Sequence, residues 1–166
     1  GRVRRSARSV FDGAGRPASR IGYALGDSVL AINPRGFFSR GIDFKTGYGL
    51  TPGDELRMLD VVRQLGEELP WQVTATYLGA HVVPEGRSRE EYVAEVIATL
   101  PQALAHGAEW CDVFCDVGVF TLDETRAILQ AAAQHGLGLR LHAEEIGRTG
   151  AAGLAAEVGC ASADHL

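Results

Sequence analysis

From residue 41 onward, short apolar segments alternate with amphipathic segments at a spacing of about 30 residues, the length of one strand–helix unit. This alternation predicts an α/β fold with a parallel sheet and right-handed crossovers. The spacing suits both a (β/α)8 barrel and a doubly wound sheet. The strand candidates are Gly41–Lys45, Gln72–Leu78, Trp110–Cys115, Leu137–His142 and Cys160–Asp164.

The segments between these strands carry the start signals of helices. Thr51 followed by Pro52, the pattern Ser88–Glu91 and the pattern Thr121–Glu124 each place a capping side chain before a helical stripe. Gly66 lies close to the expected end of the first helix. Pro101 falls inside the second helix, where we expect it to kink or split the helix.

Residues 1–40 do not follow this rhythm and form an irregular, basic and unassigned segment, whereas residues 41–166 form the barrel-like domain. Residues 1–45 hold nine Lys or Arg against three Asp or Glu, whereas the rest of the chain holds seven against eighteen. Such a leader is read either as a targeting segment or as an irregular stretch of a larger protein. Val29–Ile32 is a further strand candidate, followed by a turn at Asn33–Gly36.

The composition excludes several classes of protein. The net charge of −5 gives no general case for nucleic-acid binding, and no apolar stretch approaches the roughly 20 residues of a membrane span. The three cysteines show no CxxC spacing, and Cys111 and Cys115 flank an apolar run that we expect to face the core. These features favour a cytoplasmic protein with reduced thiols.

Three histidines, His81, His142 and His165, each close one of the short apolar runs. Polar residues at the carboxyl ends of barrel strands carry chemistry rather than packing. The pattern at His142 is the sharpest, since two acids, Glu144 and Glu145, follow it almost at once. An imidazole with a nearby carboxylate suits metal binding or acid–base catalysis. The alternative is a loop histidine beside a helix-capping acid.

The other polar positions are less specific. His81 follows small residues that would let a ligand approach the backbone, and Tyr48 lies between two glycines at a strand end. His165 is either functional or a solvated residue of the chain end. Lys45 precedes the glycines, so this turn does not have the order of a nucleotide phosphate loop. We expect His106 and His135, at helix ends, to be surface residues.

Five segments together resemble the imidazolonepropionases of the amidohydrolase superfamily, in order and in approximate spacing. The resemblance covers roughly residues 41–166. The segments are Phe44–Leu50, Tyr77–His81, Asp112–Cys115, Leu141–Glu145 and Ser162–Leu166.

That resemblance implies a (β/α)8 TIM barrel that opens the ring of 4-imidazolone-5-propanoate to N-formimino-L-glutamate in histidine degradation. It implies one divalent ion, zinc or iron, with His142 as a ligand. Glu145 and His165 would handle the attacking water and its protons, and Tyr48, His81 and Glu145 would contact the substrate. A homodimer is a candidate assembly, with no nucleic-acid or membrane partner.

The chain also departs from that family. It contains no His-x-His pair, and the family's aspartate of the last strand is expected beyond Leu166, so one of four expected metal ligands is present. Thr46 replaces the usual serine of the Lys-Ser-Gly-Tyr-Gly turn. We therefore expect a partial barrel of about five strands that binds the catalytic metal weakly by itself and associates through its open edges.

Three competing interpretations stay open at this point. The chain could derive from another amidohydrolase that acts on a cyclic amide. It could be a non-catalytic truncated barrel that serves as a binding or oligomerising module. A complete doubly wound domain of flavodoxin type also fits the periodicity alone.

Overall fold

The structure is a computed structural model that describes residues 21–25, 28–32, 42–44, 49, 51–68 and 73–166. The chain divides into two compact units, residues 1–42 and residues 43–166. In the first unit, strand β1 (Ile21–Leu25) pairs antiparallel with strand β2 (Ser28–Ile32). The strand expected at Val29–Ile32 is therefore present, one residue longer. The arginine-rich run before residue 21 and the turn expected at Asn33–Gly36 lie outside the described residues.

The remaining elements alternate between strand and helix as the sequence predicts. None of the described helices is long and apolar enough to cross a membrane. In chain order they are β3 (Ile42–Phe44), α1 (Pro52–Glu68), β4 (Val73–Ala80), α2 (Arg89–Ala105), β5 (Trp110–Cys115), α3 (Leu122–Gln134), β6 (Gly138–Ala143), α4 (Ala151–Val158) and β7 (Ser162–Asp164).

The strands lie side by side in the order in which they occur along the chain, β3-β4-β5-β6-β7. Strands β4 to β7 are parallel to one another. The helices form a layer in the same order, with α1 against α2, α2 against α3, and α3 against α4. A doubly wound domain would reverse its strand order and cover both faces of the sheet. The sequential order and single helical layer are those of an arc of a TIM-type barrel, which argues against the flavodoxin alternative.

The helices begin at the predicted caps. Thr121 forms a complete capping box with Glu124, since each side chain accepts the other residue's backbone N–H, at 3.3 and 2.8 Å. Thr51 accepts the N–H of Asp54 at 3.2 Å. Helix α2 runs through Pro101 without interruption, so the expectation that this proline splits the helix is wrong. The packing of α2 against its neighbours holds the turn together despite the missing N–H.

The two faces of the sheet have different roles. On one face of β5, Cys111, Val113 and Cys115 are buried, and β5 packs against α3. This helix-covered face is the core, as expected for the two cysteines, and burial raises the pKa of the Cys111 thiol. Trp110, Asp112 and Phe114 alternate onto the opposite face, which we call the inner face because it would face the interior of a closed barrel.

Strand β4 contains a β-bulge that changes which face its last residues occupy. Tyr77 pairs with Cys111, but Ala80 pairs with Val113, so three steps along β4 match two steps along β5. Tyr77 and Ala80 therefore both point to the helix-covered face. Side chains alternate strictly in a regular strand, so regular alternation over the four steps from Tyr77 to His81 would place both side chains on the same face. The bulge turns His81 onto the inner face.

Gly79 accommodates this bulge because it lacks a side chain. The phenol ring of Tyr77 folds over it, and a Cβ at residue 79 would lie 2.3 Å from the Tyr77 hydroxyl oxygen. The hydroxyl of Tyr92, on α2, donates to the carbonyl oxygen of Gly79 at 2.8 Å. Burial raises the pKa of Tyr92 to about 12, with Glu55 and Glu95 adding to the shift, so this donor keeps its proton at neutral pH.

We expect Gly79→Ala to lower the free energy of unfolding by about 1–3 kcal/mol, the usual cost of forcing an extra group into a packed core. The matched control is Gly153→Ala in helix α4, where a Cβ would have no neighbour within 4 Å. That substitution should leave stability unchanged or raise it by up to about 1 kcal/mol. Urea unfolding of both variants measures the difference, and equal stabilities would contradict the assigned packing.

Candidate functional site

Three side chains meet on the inner face at the carboxyl end of the sheet. His81 follows β4, Asp112 lies within β5, and His142 lies within β6. Their potential ligand atoms all lie within 4.8 Å of one another. The imidazole rings of His81 and His142 are 5.0 Å apart between centroids, with Phe114 6.0 Å from His142. A cluster of two imidazoles and a carboxylate is a donor set able to hold a divalent metal ion.

Asp112 is the centre of this cluster. Its side chain has no solvent exposure, and its Oδ1 atom lies 2.7 Å from Nδ1 of His142 and 3.7 Å from Nε2 of His81. A buried carboxylate is costly unless hydrogen bonds or opposite charges compensate it. Because an ionised carboxylate only accepts hydrogen bonds, Nδ1 of His142 must carry the proton and donate it. The second ring nitrogen, Nε2, is then the one with a lone pair to offer.

This geometry fits a metal ligated through Nε2 of His142. Ligand atoms around a tetrahedral zinc ion lie about 3.3 Å apart, given bond lengths near 2.0–2.1 Å. The 2.7 Å between Nδ1 of His142 and Oδ1 of Asp112 is shorter than that and is the length of a charge-assisted hydrogen bond. A carboxylate that holds the far nitrogen of a ligating histidine is the usual arrangement in metal sites. Asp112 therefore orients the His142 ring.

Two further polar side chains reach the same end of the sheet. His165 directly follows β7, and its ring centroid lies 5.3 Å from that of His142. Glu145 lies in the loop after β6, and its Oε2 atom is 3.7 Å from Nε2 of His165. Their side chains are 44% and 47% exposed, respectively. A pair of accessible acid–base groups beside a candidate metal ligand is an arrangement that can receive and return the protons of a water molecule.

The loop that carries Glu145 is fixed at both ends. Glu144 adopts a left-handed backbone conformation with φ of 62°, and its Oε1 atom accepts the N–H of Gly150 at 3.1 Å, at the start of α4. Closer to Glu145, the carboxylate of Asp116 accepts the N–H groups of Ile146 and Gly147. Loops that position functional groups are commonly held by such backbone contacts to a rigid scaffold.

The structure thus brings four of the five residues expected at the site to one end of the sheet: His81, His142, Glu145 and His165. Tyr48 lies outside the described residues. Asp112 was not among the expected site residues. A carboxyl group in the middle of the apolar strand Trp110–Cys115 is nevertheless a signal, because aspartate is almost never fully buried without a partner. His106, expected at the surface, is partly exposed and pairs with Asp60 at 2.9 Å.

We expect Asp112→Asn to change the tautomer of His142. An amide both donates and accepts, so it no longer requires a proton on Nδ1, and the neutral ring should shift from the Nδ1-protonated form toward a mixture. Long-range ¹H–¹⁵N correlation spectra report the tautomer. The matched control is Asp60→Asn, which should alter His106 and leave His142 unchanged. A neutral His142 protonated at Nε2 in the unmodified protein would contradict the arrangement.

The curated relatives of this chain include several imidazolonepropionases. An imidazolonepropionase of Halobacterium salinarum is 49% identical over 125 residues, which cover 75% of this chain and 30% of that protein. Imidazolonepropionases of Solibacter usitatus and Saccharopolyspora erythraea are 48% and 41% identical over 85% and 86% of this chain, and 36% and 37% of theirs. The chain thus spans about a third of the length of these curated relatives.

Other comparisons add little. No family model matches the chain. Among solved structures, the carboxyl transferase domain of Rhizobium etli pyruvate carboxylase aligns with a TM-score of 0.46 and 14% identity, over 64% of this chain and 18% of that one, a likeness too weak to inform the fold. The sequence relatives are the informative comparison: over at least three quarters of its length, the chain is similar to a segment of proteins named imidazolonepropionase.

Proposed function

We propose that the chain supplies the central part of the catalytic barrel of an imidazolonepropionase, a hydrolase that opens the ring of 4-imidazolone-5-propanoate to N-formimino-L-glutamate. The observation that carries this proposal is the convergence of His142, His165 and Glu145 at one end of the sheet, with Asp112 behind His142. The homology supports the same reaction. The substrate is a small molecule, and the proposed location is the cytoplasm, with a homodimer as the candidate assembly.

His142 is the proposed ligand of one divalent ion, zinc or iron. Its Nε2 atom is the donor, since Nδ1 is engaged by Asp112. When bound, such an ion supplies Lewis acidity, which lowers the pKa of water toward neutrality and polarises a carbonyl group. The remaining ligands are proposed to come from parts of the barrel outside these 166 residues, because the sequence contains no His-x-His pair.

Glu145 and His165 are the proposed acid–base pair. They lie 3.7 Å apart, close enough for one water molecule to contact both. One of them takes the proton of the attacking water, and the proton is then delivered to the ring nitrogen as the C–N bond breaks. Both side chains are about half exposed, so the described part of the protein leaves this side of the site open for a substrate to enter.

His81 and Tyr48 are the proposed substrate contacts, together with Glu145. His81 is almost fully buried beside Asp112, so its ring is held in one place rather than sampling solvent. A fixed imidazole next to the ligand histidine is positioned to polarise the carbonyl group that the water attacks. The bulge in β4 is what makes this contact available on the inner face.

Two other functions stay as alternatives. Another cyclic-amide hydrolase would share the His142 and Glu145 chemistry and differ in the groups that select the substrate. A non-catalytic binding module would not need Asp112 buried beside a histidine, because a buried carboxylate reduces stability unless it is fully compensated. The buried Asp112–His142 pair therefore favours a catalytic function over that of a non-catalytic binding module.

The test is a chimera in which residues 43–166 replace the homologous segment of the Halobacterium salinarum relative. We expect the chimera to consume imidazolonepropionate, followed by its ultraviolet absorbance, and to contain one divalent ion per chain. Glu145→Gln should reduce turnover by about 10²–10⁴-fold while leaving the metal bound. His142→Ala should lose both metal and turnover.

The matched control is His135→Ala, since His135 is an exposed histidine at the end of α3. It should leave metal content and turnover unchanged. A folded chimera that retains metal after His142→Ala, or that contains metal and opens a different cyclic amide but not imidazolonepropionate, would contradict the proposed function.

A further inference from the structure

Asp116 lies in the loop after β5 and is buried, with 4% of its surface exposed. Its carboxylate accepts three backbone N–H groups: from Val117 at 2.7 Å, from Ile146 at 2.8 Å and from Gly147 at 3.1 Å. The first of these is local, because it comes from the next residue along the chain. The other two come from a different loop, 30 residues further along the chain, so one carboxylate joins the loops after β5 and β6.

The donors flank the proposed acid–base residue. Ile146 and Gly147 directly follow Glu145, and the N–H of Glu145 also faces the Asp116 carboxylate. The Glu145 side chain itself is about half exposed and has His165 as its contact at 3.7 Å. Its position is therefore set by its backbone rather than by packing of its side chain, and that backbone is held by Asp116.

The charge state of Asp116 suits this role. Burial alone would raise the pKa of its carboxyl group, but the N–H groups of Ile146, Val117 and Gly147 donate to it and lower the pKa below the ordinary value. Because the pKa is lowered, the hydrogen bonds to the Asp116 carboxylate are fully present above the ordinary pKa of an aspartate. They are lost only as the pH falls through the lowered pKa of the folded protein. The anchor thus persists across the neutral range.

We propose that Asp116 is a positioning residue that holds the loop after β6 so that the Glu145 carboxylate faces His165. The geometry stands by itself, whereas its catalytic meaning rests on the proposed function of Glu145. A neutral side-chain acceptor at residue 116 would hold the loop less well. Hydrogen bonds to a charged acceptor are shorter and about twice as strong as neutral ones.

The test uses the full 166-residue chain and no substrate. Asp116→Asn keeps the shape of the side chain but replaces one acceptor oxygen with a donor. We expect amide hydrogen exchange at Ile146 and Gly147 to accelerate by about tenfold or more, while the amides of β5 and α3 keep their rates. Nuclear Overhauser contacts between the Glu145 side chain and the His165 ring should weaken or disappear in the same variant.

Asp116→Glu restores the charge and should recover part of the protection, which a role in shape alone would not produce. The matched control, Asp123→Asn, makes the same chemical change at an exposed position on α3 and should leave both readouts unchanged. Unchanged exchange at Ile146 and Gly147, or intact contacts from Glu145 to His165 in Asp116→Asn, would overturn the proposal. Neither result depends on turnover, so it is separable from a failure of the proposed function.

Discussion

The site depends on a single extra residue in strand β4. Strict alternation along that strand would place His81 on the face that carries Tyr77, among the helices. The bulge between Tyr77 and Ala80 reverses this parity and delivers the imidazole to the inner face, beside Asp112 and His142. Gly79 provides the space for the Tyr77 ring next to the bulge. Packing on one face of the sheet therefore determines the chemistry available on the other.

Buried carboxylates are the second feature that determines the structure at the carboxyl end of the sheet. Glu55 accepts the N–H of Gly49 at 2.5 Å in the turn before α1, Asp112 accepts from His142, and Asp116 accepts from the loop after β6. Each charge is removed from water, so each must be compensated by donors in a fixed geometry. Because of this requirement, the carboxylates contribute little net stability, but they fix the positions of the groups that donate to them. Glu55 and Asp116 hold loops, and Asp112 sets the tautomer of His142.

Much of the fold follows from local sequence. Thr121 with Glu124 and the alternation of apolar segments are local signals, and the helices and strands form where they predict. Gly138 begins β6, where a Cβ would lie 2.3 Å from the Trp110 ring. That contact pairs residues 28 positions apart, so no local pattern reveals it. Periodicity also fits a doubly wound sheet, and the sequential strand order and the single layer of helices argue against that alternative.

The candidate site was predictable only in part, for the same reason. His142, Glu145 and His165 stand at strand ends, which is a property of the sequence, and their grouping follows once the strands are parallel. Asp112 and Asp116 act through partners on the next strand or loop, and these partners depend on the register that sets Phe114 beside His142. The bulge that reorients His81 is a mismatch in register between β4 and β5, so the sequence of neither strand alone reveals it.

The bulge in β4 places His81 against the Asp112–His142 pair, and ring-to-ring contacts in solution measure this placement. With centroids 5.0 Å apart, the ring protons of His81 and His142 should give a nuclear Overhauser effect, and His81 should also show one to Phe114, 6.2 Å away. Contacts from His81 to Tyr77 or to the side chains of α2 instead would place the imidazole on the helix-covered face and rule out the bulge in β4.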